Sequence, residues 1–140
     1  MFKVLVVSHG LLASELVKAA ETIIGEPVRV KPVSIGWNQD VDEARQTIQD
    51  ALDEADGGGG AIILTDMFGG TPTNISLTFL DEGKVEVITG VNLPMLIKLA
   101  TLQNEGKGLG EAATLTRDRG KQSIFVASEI LTGEKTPGEK

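Results

Sequence analysis

Four short apolar runs rich in β-branched residues, each followed by a stretch of helical periodicity, leave this chain few folds to choose from. The runs are 3–8 (KVLVVS), 28–35 (VRVKPVSI), 61–65 (AIILT) and 84–89 (KVEVIT). Near-continuous apolar runs of this length mark strands covered on both faces. Between them, Leu12, Leu16, Ala19, Ala20, Ile23 and Ile24 recur at helical spacing over Leu11–Ile24, and Gly25 and Pro27 stand where such a helix must stop. Further helices are predicted over Val41–Ala55, capped by Asp40, and over Asn74–Leu80, Pro94–Gln103 and Gly110–Arg119. The order βαβαβαβ predicts an α/β fold: an open, mostly parallel sheet with helices on both faces. A β-branched run, Ser123–Ala127, adds a short C-terminal strand. One domain is expected over 1–131, with a polar, frayed tail over 132–140. The run Gly57–Gly60 is expected to be a connector without function.

Composition narrows the function. A chain of 140 residues, 41% apolar and 24% charged, suits a single packed core. No run approaches the ~20 apolar residues of a bilayer span, and the N-terminal stretch lacks the flanks of a signal peptide. A cytoplasmic protein without membrane insertion is expected. The absence of cysteine removes disulfides, thiolate catalysis and zinc–thiolate sites. With one histidine there is no His-rich metal site, and neither metal nor organic cofactor is expected. A net charge of −7 with scattered basic residues speaks against nucleic acid as a partner.

In sheets of this kind, ligands meet the C-terminal ends of the strands. Three loops leave those ends: 9–10, 36–38 and 66–74. His9 lies between the first strand and a helix start. An unperturbed imidazole titrates at ~6.5, so much of it is a neutral nucleophile at cellular pH. The helix start at Gly10 and Leu11 offers unpaired N–H groups suited to a phosphoryl group. A strand-end histidine that only packs is the competing reading. Asp66 ends the third strand on the same rim and could orient the ring, or merely cap its loop. Gly69 and Gly70 could form an anion nest beside the Thr71 hydroxyl. The spacing matches neither a Walker loop nor GxGxxG, and alone it favours an ordinary turn leading to Asn74 as a helix cap. Trp37, Met67 and Phe68 fall on rim loops, as partner-docking groups or, for Trp37, packed beneath its own loop.

The segments VVSHG (6–10), LTDMFGGTPTN (64–74) and TGVNLPML (89–96), in this order, resemble the mannose-type IIA component of the bacterial phosphoenolpyruvate-dependent sugar phosphotransferase system. The resemblance runs from Met1 to about Leu131. It implies a phosphocarrier that accepts a phosphoryl group from HPr onto Nε2 of His9 and passes it to a IIB component for sugar uptake. It implies Asp66 as the orienting carboxylate and Thr71 as the phosphoryl-contacting hydroxyl. It also implies a homodimer in which a C-terminal strand, here Ser123–Ala127, crosses to the partner's sheet. The IIB partner is expected to be a separate protein. Two other roles stay open: a regulatory phosphoprotein read by a partner without sugar transport, or the phosphotransferase subunit of a dihydroxyacetone kinase. A flavodoxin-like binding module without phosphoryl chemistry is the remaining rival.

Overall fold

The computed structural model describes residues 1–54 and 58–133. The expectations for Ala55, for Gly57 and for the tail from residue 134 lie outside the described residues. The elements are β1 (Lys3–His9), α1 (Leu12–Ile24), β2 (Val30–Ile35), α2 (Val41–Asp53), β3 (Ala61–Thr65), α3 (Thr71–Leu77), β4 (Val85–Thr89), α4 (Leu93–Asn104), α5 (Leu109–Gln122) and α6 (Ala127–Leu131). All strand pairs are parallel, in the order β2-β1-β3-β4. The chain thus steps from β1 to β2 on one side and then returns past β1 to β3 on the other. That reversal opens a crevice between the ends of β1 and β3, the usual place for a ligand in such sheets.

Alternating residues of the central strands face two separate cores. Val4, Val6, Ile62 and Leu64 pack with α1, α4 and α5, through Val17, Leu96, Leu99 and Ala112 among others. Leu5, Val7, Ile63 and Val33 pack with α2 and α3, through Ala44, Ile48 and Ile75. Each fully buried Leu, Ile or Val contributes roughly 1.5–3 kcal/mol. Both faces being covered is therefore what the apolar runs demanded. Among the described residues no helix is long and apolar enough to cross a membrane.

Local chemistry moves several boundaries. Strand β2 begins at Val30 rather than Val28, because the Val28 N–H donates to Glu21 Oε2 (3.1 Å) instead of entering the ladder. Gly25 ends α1 in the left-handed conformation (φ 88°), its N–H donating to the Glu21 carbonyl. Asp40 caps α2 by accepting the N–H groups of Asp42 and Glu43. Helix α3 starts at Thr71, not Asn74: Pro72 fits the first turn, where no N–H is needed, and Gly70 takes the cap position. Residues 78–80 then close as i→i+3 turns instead of prolonging the helix.

The expected C-terminal strand is not a strand in this chain. Helix α5 continues to Gln122, with the Ser123 hydroxyl donating to the Arg119 carbonyl. Only residues 124–126 remain outside a helix before α6 begins at Ala127. Strand propensity needs a neighbouring strand to bond to, and this segment joins neither edge of its own sheet. The glycine connector is also more than a linker. A Cβ on Gly59 would stand 2.5 Å from the Met1 carbonyl carbon, and one on Gly60 (φ 85°) 2.6 Å from the Lys84 oxygen. These glycines let three backbone segments meet beneath the sheet, where the Lys3 N–H donates to the Gly60 carbonyl and the Ala61 N–H to that of Lys84.

Candidate functional site

Strand β1 outruns β3. Thr65, the last residue of β3, pairs with Val7, so Asp66 leaves the sheet beside the end of β1. There its Oδ2 accepts two hydrogen bonds from one residue, His9: from the backbone N–H (2.8 Å) and, at 2.7 Å, from ring Nδ1. Its Oδ1 accepts the Met67 N–H at 2.9 Å. The Asp66 side chain is only 9% exposed and that of His9 26%. Burial pushes the Asp66 carboxyl up. The bonds from the His9 N–H and ring, the charge of that ring and the Met67 N–H outweigh it, leaving the group below its ordinary 3.8. An ionised carboxylate has no proton to give, so Nδ1 is the donor. The lone pair of the neutral ring is then at Nε2.

The far edge of the ring lies against Gly70. A Cβ there would stand 2.7 Å from His9 Cε1 and 3.2 Å from Nε2. Only glycine lets the backbone entering α3 come this close to the nucleophilic nitrogen. Of the two helix starts on the rim, α3's is thereby set against Nε2. Gly69 makes the preceding turn at φ 94°. Thr71 is the first residue of α3 and is exposed. Gly10 turns at φ 53°, and its N–H is engaged by the Ile35 carbonyl (3.0 Å). Leu11 precedes α1 and is exposed, as are Met67 and Phe68 on the β3–α3 loop. Trp37, 79% exposed, stacks on the His9 ring with centroids 5.3 Å apart and planes inclined by 23°. It is therefore not packed beneath its own loop.

Three supporting residues escaped the sequence analysis. Ser8 is fully buried; its Oγ accepts the Ala13 N–H (2.7 Å) and donates to the His9 carbonyl (3.1 Å). It supplies α1 with the side-chain acceptor that Leu11 lacks, and ties that helix to the histidine's backbone. Thr65 and Thr73, both buried, share a hydroxyl–hydroxyl bond, and Thr73 donates onward to the Met67 carbonyl. The donor order is then Thr65 to Thr73 to Met67, a chain that pins the β3–α3 loop. The Thr65 carbonyl also accepts the N–H groups of Gly90 and Val91, both at 2.9 Å. That bond joins the loop of the third motif to the second. The signals were a serine beside the histidine and a Thr-Pro-Thr run at a helix start.

The geometry has counterparts in known proteins. The EIIA-man family model, described as "PTS system fructose IIA component", matches residues 3–115. The chain is 27% identical to the PTS system fructose-specific EIIA component of Bacillus subtilis, over 99% of this chain and 95% of that protein. It is 28% identical to the PTS system mannose-specific EIIAB component of Escherichia coli over 84% of this chain, and spans 36% of that longer protein's length. Among solved structures, the PTS IIA protein associated with the fucose utilization operon of Streptococcus pneumoniae superposes with a TM-score of 0.78 at 30% identity. The match covers 92% of this chain and 95% of that one.

Proposed function

The chain belongs to the EIIA-man family of phosphotransferase system IIA components, and on that premise we propose that it is a phosphocarrier working through His9. The observation that carries this reading is the double hydrogen bond from His9 to Asp66 Oδ2, which leaves Nε2 as the free nucleophile beside Gly70. Phospho-HPr docks on the exposed apolar rim of Leu11, Met67 and Phe68 and presents its phosphohistidine. The Nε2 lone pair attacks phosphorus in line. A new N–P bond forms, the donor's P–N bond breaks, and its electron pair returns to the donor imidazole. Asp66 keeps Nδ1–H in place as the His9 ring gains positive character. The Thr71 hydroxyl and the unpaired N–H groups of the first turn of α3 hold the equatorial oxygens. A separate IIB component then takes the group from the same face by the reverse chemistry, on the way to sugar uptake. The protein contributes position and electrostatics rather than covalent steps of its own beyond His9.

Assembly as a homodimer belongs to the same proposal. Ile124, Phe125 and Val126 are exposed in the single chain, and β4 ends the sheet with an unpaired edge. A second copy can satisfy both. Light scattering of the wild type and of a Phe125→Glu variant tests this; a monomeric wild type rejects it.

The phosphocarrier reading is tested by incubation with phosphoenolpyruvate, enzyme I and HPr, followed by intact mass. A single acid-labile phosphoryl gain in the wild type, absent from His9→Ala, is expected. No gain in the wild type, with HPr shown to be phosphorylated in the same tube, overturns the proposal.

A further inference from the structure

Tryptophan is among the most buried side chains on average, yet Trp37 leaves 79% of its surface open. Its loop is nonetheless closed on itself. The Gln39 N–H donates to the Gly36 carbonyl (3.2 Å), and the Gly36 N–H donates to Gln39 Oε1 (3.1 Å). Asp40 then caps α2, and the Gly10 N–H ties the loop's entry at Ile35 to the end of β1. The indole so held lies across the β1–α1 turn: a Cβ on Gly10 would meet Trp37 Nε1 at 4.0 Å. It covers one face of His9 in an offset stack, at 5.3 Å and 23°.

We infer that Trp37 is a positioning residue for the reacting imidazole, an inference that rests on the phosphocarrier reading of His9. Asp66 anchors the ring at one corner, Nδ1. A single anchored corner leaves the ring free to rock about that bond. Gly70 bounds the Cε1–Nε2 edge, and Trp37 bounds a face. The Nε2 lone pair lies in the ring plane, so the tilt of the plane is the aim of the attack, and small errors of aim are costly. Once Nε2 carries phosphorus while Nδ1 keeps its hydrogen, the ring is a phosphoimidazolium. The face of an indole attracts that delocalised charge. A group that only docks a protein partner would have neither effect.

A donor too small to need docking separates the two roles. With phosphoramidate, Nε2 forms the bond to phosphorus, the P–N bond breaks, and the nitrogen leaves as ammonia with the bonding pair. The rate of mass gain is compared for wild type, Trp37→Phe and Trp37→Leu, with phosphoramidate and with phospho-HPr. Trp37→Leu is expected to slow both reactions by roughly three- to tenfold, and Trp37→Phe to recover most of the loss. The chain has one histidine and one tryptophan, so the ring protons of His9 give unambiguous NMR signals. Loss of the stacked indole in Trp37→Leu should move them downfield. Slowing with phospho-HPr alone, at an unchanged phosphoramidate rate, makes Trp37 a docking contact and overturns the inference. A wild type that reacts with phosphoramidate but not with phospho-HPr sinks the phosphocarrier reading, while the Trp37 effect is still measured. Failure with both donors overturns both.

Discussion

At the foot of the sheet a Cβ on Gly59 would stand 2.5 Å from main-chain atoms of Met1, whereas at the rim a Cβ on Gly70 would stand 2.7 Å from a side-chain atom, Cε1 of His9. Both positions exclude any other residue by contact rather than by dihedral angle. The obstacle differs in kind. Backbone held in a parallel ladder cannot move without breaking several bonds, so the foot is a question of stability. An imidazole can swing away, at the cost of the bond to Asp66 and the stack on Trp37. The rim is therefore a question of aim. The hydrogen bonds follow the same division. At the foot they run from backbone to backbone, Lys3 to Gly60 and Ala61 to Lys84. At the rim they converge on one carboxylate, three of them from two residues.

The largest expected effect tests the rim. Asp66→Asn keeps the volume but supplies an amide that need not accept from Nδ1, so the ring tautomer is no longer dictated. Phosphorylation of His9 should fall by about 10²- to 10⁴-fold, as for orienting carboxylates elsewhere, with the circular dichroism of the native fold retained. A fall of less than fivefold would mean that the carboxylate is structural only.

Gly59→Ala probes the foot. Driving a methyl group into the Met1 backbone should cost about 1–3 kcal/mol in urea denaturation. The phosphorylation rate of the folded fraction should stay within twofold of wild type. If activity drops while stability holds, the two ends are coupled and the contrast between them breaks down.

Gly70→Ala should reverse that pattern. Displacement of the imidazole is expected to slow phosphorylation by roughly 10- to 100-fold at a cost of about 1 kcal/mol in stability. Because the clash is with the ring, the stability cost should shrink when His9→Ala is added, giving a coupling of about 0.5–1 kcal/mol in the double-mutant cycle. Simple additivity would place the strain in the backbone instead and make the rim like the foot.

The smallest effect is on acid stability. The Asp66 carboxyl sits below its ordinary 3.8 in the folded protein, so its contribution is complete above that ordinary value and is lost as pH falls through the lower folded one. Between pH 5 and pH 3 the urea midpoint of the wild type should decline more steeply than that of Asp66→Asn. Parallel declines would show that the bonds from His9 and Met67 do not favour the ionised form.

Much of this was legible in the order of residues. The four apolar runs had to be strands buried on both faces, because nothing else hides consecutive β-branched residues, and the helical stripes between them required parallel crossovers. That His9 and Asp66 lie on the same rim followed from their places at strand ends. Tertiary structure decided the rest. The order β2-β1-β3-β4 makes β1 and β3 neighbours, and without it the two-fold bond between His9 and Asp66 cannot form. Distances across a crevice depend on register and on where each strand stops, which local periodicity does not encode. Trp37 against His9 and Gly70 against Nε2 are contacts of this kind, between residues 28 and 61 positions apart in the chain. Ser123–Ala127 failed as a strand for the complementary reason. Its β-branched residues express a local preference, but a strand is completed only by a partner edge, and the fold of one chain does not bring an edge to it.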